Sequence, residues 1–127
     1  MHIGAISLLV ADYDAAIAWF TRSLGFTLVE DTDMGGGKRW VKVAPPGGQT
    51  AMILAKGVGD AQVAQIGKQG GGRVWLFLHT DDFARDHAAM TAAGVRFLEQ
   101  PRREAYGWVA VFEDLCGNRW DLIEAAS

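Results

Sequence analysis

Residues Ile3 to Ala11 are rich in Ile, Leu and Val, and from Asp12 the apolar spacing changes to that of a helix, with Tyr13, Ile17, Phe20 and Leu24 recurring at three- and four-residue steps. The pattern predicts a strand followed by a helix, with Asp12 as the N-cap and Gly25 as the stop. Strands are expected at about Phe26 to Asp31, Arg39 to Val43 and Thr50 to Ala55, separated by Gly35-Gly36-Gly37 and Pro45-Pro46-Gly47-Gly48. The second half repeats this plan. Val74 to Thr80 is a strand, and Asp81 or Asp82 caps a helix with Phe83, His87 and Met90 on one face. Gly94 ends that helix, and strands follow at about Val95 to Glu99, Trp108 to Phe112 and Arg119 to Glu124. Asp12-Tyr13 lies 70 residues before Asp82-Phe83, Gly25 lies 69 before Gly94, and Trp40-Val41-x-Val43 lies 68 before Trp108-Val109-x-Val111. Two βαβββ units, each with an apolar sheet face to cover, are expected to pair. They span about residues 3–55 and 73–124 of a single domain, 1–127, joined by a Gly- and Lys-rich linker at about 56–72 with one helical turn near Asp60 to Ile66.

Composition narrows the partners. At 127 residues, 50% hydrophobic and 21% charged, the chain suits one globular domain that needs no metal or disulfide to fold. The net charge of −3, with basic residues scattered apart from Arg102 and Arg103, argues against nucleic acid. A single cysteine, Cys116, excludes an internal disulfide, and no apolar run approaches the ~20 residues of a membrane span. Met1-His2-Ile3-Gly4 has no charged flank before a long apolar run, so a cytoplasmic protein is expected.

The duplicated plan, the opening run Leu8-Leu9-Val10-Ala11-Asp12-Tyr13-Asp14-Ala15-Ala16-Ile17-Ala18-Trp19-Phe20, and the closing run Glu113-Asp114-Leu115-Cys116-Gly117-Asn118-Arg119-Trp120-Asp121-Leu122-Ile123-Glu124 resemble the vicinal oxygen chelate superfamily, the glyoxalase, bleomycin-resistance and extradiol-dioxygenase group. The resemblance implies an α+β fold in which two βαβββ modules form a curved, cup-shaped mixed sheet with metal ligands on its floor. It also implies homodimers, a pairing that edge strands favour. Its four ligand positions fall here at Ala5, at or beside Ile53, at Trp75 or Val74, and at Asp121. A methyl, an aliphatic chain and an indole do not ligate, and one carboxylate does not hold a divalent ion against water. The expectation is therefore a member without metal or other cofactor.

Metal-free members of the group bind drugs such as bleomycin with aromatic side chains. Five tryptophans fit that use, four of them on predicted strands. Alternation places Trp75, Phe77 and His79 in the cup, opposite Asp121 and Arg119, a pocket for a flat, apolar or cationic small molecule. Trp40 and Trp108 read either as a ligand clamp or as a symmetric packing pair, and His79 either as a site residue or as a turn residue. Trp19, Trp120 and His87 read as packing, and His2 as exposed. Asp121, the one candidate catalytic residue, reads either as a buried general base of raised pKa or as an acid paired with Arg119, Arg39 or Arg73. Cys116 lacks the setting of a reactive thiol. Gly35-Gly36-Gly37 and Gly70-Gly71-Gly72 open no helix and carry no Lys-Ser/Thr, so they read as rims of the cup. Whether any reaction is catalysed stays open. A metal-dependent lyase, isomerase or dioxygenase with unorthodox ligands, for instance His79 and Asp121, is the alternative to a binding protein, and a protein-interaction module is the third reading.

Overall fold

The computed structural model describes residues 1–126. They form β1 (Ala5–Val10), α1 (Tyr13–Ser23), β2 (Thr27–Gly35), β3 (Lys38–Ala44), β4 (Ala51–Lys56), α2 (Gly59–Gln65), β5 (Val74–His79), α3 (Phe83–Ala92), β6 (Arg96–Phe97), β7 (Arg102–Glu104), β8 (Gly107–Glu113) and β9 (Arg119–Ala125). The chain divides into two compact units, the first Met1–Ile66 and the second from Gly67 onward. The predicted last three strands are four: the segment expected at about Val95 to Glu99 forms only the short β6, and past Pro101 an unpredicted short β7 also pairs with β8. The segment read as linker carries the seven-residue α2 rather than one turn.

In the first unit the strands run in the order β1-β4-β3-β2, with β1 parallel to β4 and the other pairs antiparallel. Asp12 caps α1 as expected, its Oδ2 accepting from the Ala15 N–H at 2.7 Å, one of the first-turn donors that lacks a helical partner. At the other end Gly25 takes φ +68° and lets the chain reverse, so that Phe26 N–H reaches the Phe20 carbonyl. Leu8, Val41, Val43 and Leu54 share one sheet face with no exposure, and Ala16 and Phe20 of α1 are equally buried. Each side chain of the size of Leu8 or Phe20 contributes roughly 1.5–3 kcal/mol by burial.

The second unit is ordered β5-β9-β8-β6 with β7 also on β8, and β5 runs parallel to β9. Asp82 caps α3 by accepting from Arg85 N–H at 3.0 Å. Phe112, Ala110, Trp120 and Leu122 form its covered face, with Phe83 and Met90 of α3 buried alongside. Glu124 belongs to this face too, and its Oε1 accepts the Phe83 N–H at 2.7 Å, so β9 itself caps the helix it carries. The β8–β9 turn is built around Asp114. Its buried carboxylate accepts from the backbone N–H groups of Cys116 and Asn118, from Asn118 Nδ2, and from Trp120 Nε1 at 3.0 Å.

The cross-strand register fixes which residues of the two units correspond. Leu8 and Leu78 stand four residues before their caps, pair with Leu54 and Leu122, and these in turn pair with Val41 and Ala110. Val41 therefore corresponds to Ala110, and Arg39 to Trp108. Both of the latter lie against the first residue of their helix: the Arg39 guanidinium sits 5.2 Å over the Tyr13 ring, and Trp108 stacks on Phe83 at 6.2 Å. The expected equivalence of Trp40 and Trp108 is out by one residue, which in a strand exchanges the faces.

Candidate functional site

The face of the second sheet turned away from α3 carries the chemistry. Its rows follow from the pairing: Phe77 beside Asp121 beside Val111, then His79 beside Ile123 beside Val109 beside Arg102, with Arg119 opposite Glu113 at one end. Phe77, His79, Arg119 and Asp121 thus lie on one face. Trp75 does not. The register of β5 on β9 slips between Val74 and Leu76, and the Trp75 ring meets Trp120 edge-on at 6.3 Å, on the α3 side. Trp108 is corrected likewise: it stacks on Phe83 and lines a different cleft. Trp40 lies on the face of the first sheet away from α1, pairs with Thr32 and is 39% exposed.

Asp121 is 8% exposed, and its buried Oδ1 meets no hydrogen-bond donor among the described residues. Of the arginines proposed to pair with it, Arg39 is held by Asp14 and Asp31, and Arg119 donates to the Gly72 carbonyl. Burial pushes the Asp121 carboxyl above its ordinary pKa; Arg102 opposes that rise and Glu99 adds to it. Glu99 and Arg102 are the site residues that the sequence reading missed. Glu99 accepts from Val111 N–H at 3.0 Å and from Arg102 Nε at 3.1 Å, and Arg102 also reaches Glu104 at 2.6 Å. The available signal was an acid and a base three apart across Pro101, a spacing that folds them back on each other.

Among the described residues no three His, Cys, Asp or Glu side chains converge on a point that would hold a metal ion. Around Asp121 the charge with the largest effect on its carboxyl is a cation, Arg102. These surroundings do not fit a divalent ion. His79 is exposed at the end of β5, and its neighbour Thr80 bonds Asp86. The Cys116 thiol is pushed up to about 12, chiefly by burial and then by the charge of Asp114, so the thiolate is scarce.

A sheet of four strands ordered 1-4-3-2 behind one helix, repeated with its caps, defines the class of duplicated βαβββ proteins. The chain belongs to the Glyoxalase/Bleomycin resistance protein/Dioxygenase superfamily, whose model matches residues 2–122. An uncharacterized protein of Shewanella frigidimarina is 49% identical over 121 residues, covering 94% of this chain and 90% of its own. Among solved structures, UcmS2 is 28% identical with a TM-score of 0.84 over 97% of both chains. TnmS3, an antibiotic binding protein from Streptomyces sp. CB03234, is 28% identical with a TM-score of 0.80, over 99% of this chain and 97% of its own. No helix among the described residues is long and apolar enough to cross a membrane.

Proposed function

We propose that the protein binds a small, planar, hydrogen-bond-donating or cationic molecule on the helix-free face of its second sheet, with Asp121 as the polar anchor and Phe77 and His79 as flanking contacts. The observation that carries this is the orphaned Oδ1 of a nearly buried carboxylate. An unpaired buried polar group costs roughly 1–3 kcal/mol, and a ligand donor that meets it recovers that cost. Phe77, 59% exposed beside it, supplies the apolar contact. The likeness to the antibiotic binding protein TnmS3 supports the same class of ligand. The reading takes the whole chain as one domain that acts as a cytoplasmic homodimer.

Calorimetric titration with bleomycin, proflavine and a panel of planar antibiotics tests the reading. At least one compound is expected to bind, and Asp121→Asn to weaken it about tenfold or more, since a buried charge loses its partner. Affinity should also fall as pH drops through the raised pKa of Asp121. Equal affinity in wild type and Asp121→Asn overturns the assignment. A second reading, metal-free proton abstraction by Asp121, rests on the same upward shift. It predicts deuterium uptake by a bound carbon acid that stops in Asp121→Asn.

A further inference from the structure

The tryptophan that the register removes from the helix-free face lines a cleft of its own. At the N-terminal end of α3 lies an open cleft of about 560 Å³ lined by Asp82, Phe83, His87, Pro101, Trp108 and Glu124. Its floor is aromatic: Phe83 stacks between Trp108 at 6.2 Å and His87 at 5.4 Å. Two carboxylates and no Lys or Arg side chain line it. Glu124 is fixed in place because its Oε1 accepts the Phe83 N–H, which leaves Oε2 as an acceptor on a carboxylate that cannot swing away. Trp108, 36% exposed, already attracts one planar cation, the Arg103 guanidinium 5.6 Å over its ring. Asp82, the second lining carboxylate, caps α3 by accepting from Arg85 N–H at 3.0 Å.

We infer that this cleft is a second binding site, distinct from the Asp121 face, for a planar organic cation whose charge faces Glu124 and whose ring lies against Trp108. Aromatic walls alone would accept any flat apolar molecule. The two lining carboxylates favour a cation, which takes the place of the Arg103 guanidinium over the Trp108 ring. The site lies on the opposite sheet face from Asp121, since Trp108 pairs with Glu124 while Asp121 pairs with Val111.

The test uses the five indole N–H signals of the tryptophans in a nitrogen-proton correlation spectrum, followed during titration with 1-methylquinolinium and with its uncharged isostere 1-methylnaphthalene. The Trp108 signal, assigned by Trp108→Phe, is expected to shift with saturation by the cation. The isostere and the Glu124→Gln variant are each expected to bind at least about fivefold more weakly. The amide that Glu124→Gln introduces retains an oxygen for the Phe83 N–H, so the helix cap survives, and Asp121→Asn should leave the Trp108 titration unchanged. A Trp108 signal that does not move into the millimolar range overturns the proposal. Equal binding of cation and isostere, or of wild type and Glu124→Gln, overturns it as well. Loss of the shift in Asp121→Asn would place the cation on the other face, which sinks this site and leaves the Asp121 reading standing.

Discussion

Replacing Asp114 by Ala removes four hydrogen bonds from one buried carboxylate, with donors at 2.9, 3.0, 3.1 and 3.0 Å. A bond to a charged group contributes roughly 1.5–3 kcal/mol, and a plain sum would approach the whole stability of a domain. The four donors share one acceptor group, so their losses are not additive, and breaking such a buried network costs about 3–5 kcal/mol. Part of the turn survives, because Asp114 N–H still donates to the Asn118 carbonyl and Gly117 N–H to the Asp114 carbonyl. With a urea slope of about 2 kcal/mol per molar, the unfolding midpoint should fall by ~2 M. Asp114→Asn is the sharper control. It keeps one oxygen for the backbone donors but sets an NH₂ against Trp120 Nε1 and Asn118 Nδ2, both of which are donors. Urea unfolding followed by far-ultraviolet circular dichroism measures each variant, and Trp120→Phe completes a double-mutant cycle. A loss below about 1 kcal/mol in Asp114→Ala, or no coupling to Trp120, would refute the reading that the β8–β9 turn is built around this carboxylate.

Other expectations concern neighbouring groups. The folded pKa of Asp121 lies above its ordinary value of 3.8, so its contribution to stability is intact below that value and lost as pH rises through the raised pKa. Asp121→Asn should therefore be more stable than wild type at pH 7 and no different at pH 3, as read by thermal unfolding at both. The Cys116 thiol, pushed up to about 12, should react with a disulfide reagent at pH 8 at least about tenfold slower than a free thiol, and faster in Asp114→Asn, where a raising charge is gone. Gly67 takes φ +78°, and a Cβ there would overlap the Cys116 carbonyl oxygen, so Gly67→Ala should cost about 2 kcal/mol or more in urea unfolding.

Helix caps were legible from sequence because they rest on local chemistry. Asp12, Asp82, Gly25 and Gly94 act where their spacing placed them, since a cap needs only its own side chain and the next turn. Faces were less legible. Trp75 changes side through one slipped residue on an edge strand, and Trp108 through an offset of 69 where the motif match reads 68. Neither slip alters hydrophobic periodicity, because both faces of these strands hold apolar residues. The Glu99–Arg102 pair was hidden for a different reason: it depends on a turn at Pro101 that brings two short strands onto β8.

The same register explains why a carboxylate, and not the tryptophans, marks the candidate site. Trp120 and Trp108 lie on the α3 side, where Trp120 satisfies its indole N–H internally and Trp108 stacks on Phe83, so neither needs a ligand on the helix-free face. Asp121 alternates with Trp120 and faces the other way, with Arg102 drawn off by Glu99 and Glu104. A carboxylate there lowers stability in the free protein, and Asn would remove that loss. A ligand present at 100 times its dissociation constant stabilises the bound state by about 2.7 kcal/mol, the same order as the roughly 1–3 kcal/mol cost of the orphaned oxygen. Under the proposed function, occupancy would offset the burial of Asp121, and the variant that stabilises the free chain is the one expected to weaken binding.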